Sequence, residues 1–228
     1  MANAGDTITV SIVADEPIIA PAVQIAGQMA AVAGSGSSWS ASRVVTEMDT
    51  AGTVAFSVQF EDLASNGGVE IISTTDSSAV TIDLAAPTLV SMRIESDNAE
   101  DATRANGGDT ISLHIEVSEP IVDPSVMIAG QDASVLGFAT DWVASYTVVS
   151  TQVSEGQVQI QLIFEDLAGN AGDTATAVSD DSFVTIDLTP PTLVEVSIIS
   201  SNEADTARAN AGDIITVSLV SSLSLIHI

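Results

Sequence analysis

Glu165 and Asp166 sit side by side in the stretch FEDLAGNAGD, Phe164 to Asp173. Adjacent carboxylates ahead of Gly and Asn suit three kinds of chemistry. Two carboxyls facing each other across a cleft, about 5–9.5 Å apart, can hydrolyse a glycosidic bond. Carboxylates can also gather around Ca2+, which takes about six to eight hard oxygen ligands. Or the Asp can accept from the backbone N–H two residues on and close a turn, with Gly and Asn tolerating positive φ. Successive side chains of a strand point to opposite faces, so Glu165 and Asp166 do not face each other. The phrase also returns as FEDLASNGG from Phe60, and recurrence favours architecture over a single active centre. No catalytic residue is assigned, and the chain is expected not to be an enzyme.

The turn accounts for Asp, Gly and Asn together, and Ca2+ stays open beside it. Candidate ligands are Glu119 after one strand, Asp166 in the turn and Asp187 at a Pro-bearing seam. All three are expected near one end of a sandwich, and Glu16, Asp62 and Asp83 repeat them. On the turn reading no cofactor is required. The cluster Asp97, Asn98, Glu100 and Asp101 reads as a solvated loop or as extra ligands, and it lacks EF-hand spacing. His114 alternates with apolar neighbours and reads as a surface residue. The other histidine, His227, lies in a suspect tail, so neither a Ser-His-Asp triad nor a His-rich zinc site can be assembled. Trp39 and Trp142 each open a strand, as packing residues or as sugar-stacking platforms. Arg104 and Arg208 are placed to pair with local acids.

Composition narrows the classes further. Of 228 residues, 31 are acidic and 4 basic, all of them Arg, giving a net charge of -27. Such a surface repels nucleic-acid phosphates and anionic membranes, so neither is an expected partner. It favours solubility, cations or a salty medium that screens self-repulsion. The absence of Cys excludes disulfides and thiolate metal sites. No apolar run approaches the roughly 20 residues of a membrane helix. Hydrophobic residues at 46% allow a packed core, and the richness in Val, Ile, Ser and Thr favours strands.

The chain repeats itself. ANAGDTITVSIVADEP from Ala2 returns as ANGGDTISLHIEVSEP from Ala105 and begins again as ANAGDIITVSLVSS from Ala209. VTIDLAAPTLV from Val80 returns as VTIDLTPPTLV from Val184. A period of this length is a whole domain. The Pro-bearing seams at Ala85 to Thr88 and Thr189 to Thr192 then set the phase. Residues 1–85 are a repeat without its first strand, 87–188 a complete repeat, and 190–222 a truncated one of about two strands. The Glu-Pro ten residues after the repeat's Asp (Asp6 to Glu16, Asp109 to Glu119) becomes Leu223-Ser224 after Asp213. The ending LSLIHI resembles the translation of a transposon-type sequencing adapter. Residues 223–228 are therefore read as non-native.

Strict alternation marks half-buried strands. Ile111, Leu113, Ile115 and Val117 share one face, as do Ile8, Val10, Ile12 and Ala14. Val158, Ile160, Leu162 and Phe164 alternate with glutamines. Further strands are expected at Leu89–Ile94, Ser125–Ile128, Ala133–Leu136, Trp142–Val149, Thr174–Val178 and Phe183–Ile186. No segment has a helical period. The expected fold is all-β, antiparallel sandwiches in tandem with essentially no helix.

The Asp-x-Ala-Gly-Asn turn, the final Val-x-Ile-Asp strand and the Thr-Pro-Pro-Thr seam resemble the bacterial immunoglobulin-like repeats strung through large surface and secreted adhesins. The likeness covers residues 1–222. It implies immunoglobulin-like topology and a spacer or adhesive array outside the cell or at its surface. Adjoining repeats, and a surface glycan or protein ligand, are the partners it implies. A cadherin-like stalk rigidified by Ca2+, or an accessory module of a large secreted enzyme, is the alternative.

Overall fold

The computed structural model describes residues 1–222, so the expected non-native tail lies outside the described residues. Among these there is no helix. The first module holds β1 (Thr7–Val13), β2 (Ala22–Ile25), β3 (Gln28–Met29), β4 (Ala31–Ser35), β5 (Ser38–Val44), β6 (Gly52–Thr53), β7 (Phe56–Gln59) and β8 (Thr81–Ile82). The second holds β9 (Leu89–Ser96), β10 (Arg104–Ala105), β11 (Thr110–Val117), β12 (Ser125–Ile128), β13 (Gln131–Asp132), β14 (Ser134–Phe138), β15 (Asp141–Thr147), β16 (Gly156–Gln157), β17 (Ile160–Ile163) and β18 (Thr185–Ile186). Beyond the second seam come β19 (Leu193–Ser200) and β20 (Ile215–Ser221), paired antiparallel with each other.

In the second module a sheet ordered β14-β15-β11-β9 faces strands β13-β12-β17 and β10-β18-β16. All pairs are antiparallel except β10 with β18. Alternation explains the core between the layers, since only one face of each strand can be apolar. Ile111, Leu113, Ile115 and Val117 of β11 point inward and are buried, with Met92 and Ile94 of β9, Ile128 of β12 and Leu162 of β17. Each such side chain contributes about 1.5–3 kcal/mol. The fold is an all-β array of antiparallel sandwiches with immunoglobulin-like architecture.

Apolar side chains collect in two clusters, one drawn from residues 2–84 and the other from residues 89–188. The first module's main sheet runs β4-β5-β1, so β1 lies at an edge where β11 has β9 beside it. The consequence is graded burial. Val10 and Ile12 are half-buried, whereas their counterparts Leu113 and Ile115 are buried.

One local expectation differs from the structure, and one turn differs between the modules. Thr174–Val178 forms no ladder and is tied in by a single bridge, Ala175 with Leu162, because the chain then swings across to the edge of β9. In the first module's FEDLASNGG turn, Ser65 itself takes the left-handed conformation, φ +67°, where Gly169 has φ +90°. The neighbouring Asn66 and Gly67 do not relieve it of that role.

Candidate metal centre

The turn after β17 is built around one buried carboxylate. Inward alternation runs on from Leu162 and Phe164 to Asp166, which is 2% exposed. Its Oδ1 accepts from the N–H of Ala168 at 2.7 Å and of Asn170 at 2.9 Å, and its Oδ2 from Asn170 Nδ2 at 2.8 Å. Asp62 makes the same three bonds with Ala64 and Asn66 in a more exposed setting. An Asp that collects loop N–H groups in this way organises the turn whether or not an ion binds.

The second module docks on the first through this turn. Asn170 Nδ2 also donates to the Asp83 carbonyl at 3.1 Å, bridging the seam. Pro87 in the seam is buried, and its carbonyl lies close over Gly172. The docking carries the Asp83 side chain to the second module's end. One oxygen each from Asp83, Glu119 and Asp166 then lie within 4.8 Å of one another. Opposite ligands of a Ca2+ with bonds of about 2.3–2.6 Å are about 4.6–5.2 Å apart, so the spacing suits a single ion. A set of carboxylates without His or Cys suits a hard cation rather than zinc or copper. Backbone carbonyls and water would complete the shell.

Electrostatics agree with that fit. Burial, and then the charges of Asp83 and Asp166, push the Glu119 carboxyl above its ordinary value. Burial alone would also raise Asp166, but its hydrogen bonds from Asn170, Ala168 and Gly169 outweigh it and hold the carboxyl below the usual aspartate range. The Glu119 carboxylate accepts no hydrogen bond among the described residues. It is held between two negative groups, and either a proton or a cation relieves it.

The grouping differs from the sequence expectation, which gathered Glu119, Asp166 and Asp187 at one end of a single repeat. Asp187 N–H donates to the Ala105 carbonyl, ahead of the start of β11, while Glu119 follows the end of β11. Eight strand residues span about 25 Å, so Asp187 lies at the module's opposite end. Its place beside Glu119 and Asp166 is taken by Asp83, its counterpart one repeat earlier. Glu16 and Asp62 are the matching pair on the first module and form no such cluster among the described residues.

Other candidates are absorbed by structure. Asp97 accepts from Thr110 N–H, Asn98 donates to Asp109 and Asp101 accepts from Thr103, so that loop satisfies itself. Trp142 is 7% exposed and donates to the Ala139 carbonyl, which leaves it no face for a sugar. His114 lies 3.0 Å from Glu95 on the outer face. Arg104 pairs with Asp101 and Arg208 with Asp205.

No family model matches the chain, and no curated protein matches it. Among solved structures it is similar to the fibronectin(III)-like modules of Clostridium thermocellum CbhA, at 12% identity and a TM-score of 0.38 over 82% of this chain and 88% of that one. The I9-I11 tandem from titin is similar at 8% identity and a TM-score of 0.39, over 97% and 92%. The D00-D0 domain of intimin is similar at 11% identity and 0.30, over 78% and 96%. These likenesses are too distant to say anything of activity or ligand.

Proposed function

We propose that the chain is a non-catalytic segment of an extracellular or surface-attached adhesive stalk, in which each module acts as a spacer and Ca2+ stiffens the junctions. One observation carries the reading: carboxylates of two successive modules, Asp83 from one and Glu119 and Asp166 from the next, meet within 4.8 Å. An ion there ties both modules to one centre and removes hinge freedom. The anionic surface keeps such an array soluble. Calcium titration of the chain, followed by melting and small-angle scattering, tests this. A rise in Tm and a narrower spread of scattering dimensions are expected, both lost in Glu119→Gln. An unchanged Tm at saturating Ca2+ would overturn it.

A second reading, a glycan- or protein-binding module, is favoured by the outer face of the second module. Leu136, Phe138 and Val143 stand there, the first two 74% and 85% exposed, where the first module has Ala33, Ser35 and Ser40. Binding on a glycan array that disappears in Phe138→Ser would favour it.

A further inference from the structure

The second module leaves one strand edge open, and that edge is complementary to itself. β14 ends the sheet ordered β14-β15-β11-β9. The hairpin of β14 and β15 closes at Phe138 opposite Asp141, so Ser134, Leu136 and Phe138 turn their backbone groups toward β15. The far edge agrees on the phase. Carried across the sheet, the same alternation turns Met92 and Ile94 N–H out from β9, where they donate to Ser179 and Ser182. Val135 and Gly137 therefore turn their N–H and C=O groups outward. Both ends of this edge are closed. Ala133 N–H donates to the Val126 carbonyl, and the Ala139 carbonyl accepts from Ile121 N–H. Neither charge nor Pro guards what lies between, since residues 133–140 contain none. On the outer face beside it stand Leu136 and Phe138, 74% and 85% exposed.

We infer that β14 pairs antiparallel with β14 of a second copy of this chain, across a two-fold axis through Leu136. This deepens the glycan- or protein-binding reading of the same face by naming its partner. Centred there, Val135 of each copy exchanges both N–H···O bonds with Gly137 of the other, and every open group of the edge is used. Leu136 meets Leu136 in a non-hydrogen-bonded pair, the closer kind. Phe138 stands opposite Ser134, with the other copy's Leu136 on the diagonal. Neighbouring registers are poorer. An axis through Val135 sets Gly137 against Ala133, whose N–H is taken, and one through Gly137 sets Val135 against Ala139, whose carbonyl is taken. The charges fit as well. Asp132 falls opposite Thr140 and Asp141 opposite Gln131, so no acid faces an acid along the seam. In a chain of net charge -27, an uncharged edge is where a like-charged copy can approach. Backbone bonds exchanged for bonds to water contribute little net, so they set register while the apolar side chains decide whether pairing occurs. The first module supplies the contrast. β4 lies at the same edge, with Ala33 for Leu136 and Ser35 for Phe138. The contact is isologous, so it closes as a dimer, and its strands run oppositely, so it joins chains arriving from opposite directions.

Sedimentation of the whole chain in a calcium chelator, from micromolar to about millimolar concentration, tests this. One short strand makes an interface at the small, transient end, below about 1,200 Å2. The weight-average mass is expected to climb toward twice the monomer and no further, sooner in added monovalent salt. Leu136→Lys, at an exposed position, should leave Tm unchanged and hold the mass at the monomer value, while Ala33→Lys on β4 should leave association intact. The chain has no Cys. Leu136→Cys should therefore form a disulfide between two chains, and Ala33→Cys should do so poorly. A chain that stays monomeric throughout would overturn the inference. So would mass growing past the dimer, association indifferent to Leu136→Lys, or equal cross-linking of both Cys variants. A monomeric chain that still binds a glycan array through Phe138 would overturn it too and leave the glycan-binding reading standing.

Discussion

Asp166 and Glu119 are neighbours with opposite electrostatic histories, and they make opposite predictions. Asp166 is stabilised as an anion by loop N–H groups, so its ionisation favours the folded state. Asp166→Ala leaves those part-buried donors without their acceptor and should cost about 1–3 kcal/mol in denaturant unfolding. Asp62→Ala, with the same bonds in a more exposed turn, should cost less. Glu119 behaves in the reverse sense. Its raised carboxyl means that the folded protein holds the proton more tightly than the unfolded chain. Its contribution to stability is therefore greatest below the ordinary glutamate range and falls as pH climbs through the raised value. Without divalent ions, Glu119→Gln should remove that loss and flatten the upper part of a pH–Tm profile. With Ca2+ the wild-type slope should invert, because the ion replaces the proton and binds better as pH rises.

At the scale of elements, two turns are strained in ways that substitution can relieve. β2 and β3, like β12 and β13, are joined by Ala-Gly with both residues at positive φ, 52° and 73° in one module and 53° and 74° in the other. That hairpin geometry prefers Asn-Gly. Ala129→Asn should raise stability by about 0.5–1 kcal/mol, and Ser65→Gly should do the same in the other turn, both read from thermal melts. The faces of β11 and β17 were legible because a half-buried strand writes its burial as a period of two. The same period, carried past Phe164, would have pointed Asp166 inward, whereas the sequence reading placed it only in the turn. The period fails for Thr174–Val178, where a single bridge from Ala175 to Leu162 is all that precedes the Ser179 and Ser182 hydroxyls against β9. The residue types of the metal-centre grouping were legible, since Asp83, Glu119 and Asp166 were all candidates, but the pairing of Asp83 rather than Asp187 with the other two was not. Residue spacing within a repeat cannot tell which end of one sandwich meets which end of the next, and the Asp83–Asn170 contact decides that.

For the whole molecule, a net charge of -27 spread over successive modules opposes compactness. Added monovalent salt should raise Tm by screening it, and the gain should shrink once Ca2+ is present. Residues 87–188 carry one complete apolar cluster and should melt cooperatively by themselves, whereas 190–222 should give a disordered circular-dichroism spectrum. A folded spectrum from the latter would show that the period has been divided at the wrong place.

On the proposed calcium reading, the division of carboxylates between Asp83 on one side of a seam and Glu119 with Asp166 on the other makes ion affinity a count of neighbours. A sandwich without its neighbour then offers part of a coordination set and stays loose, while a joint that gathers all three carboxylates, as the first seam does, is complete. Tension along the string would part the coordination shell before either sandwich yields, and slack would restore it as long as calcium is present. The joint, rather than the bead, is then the mechanical fuse.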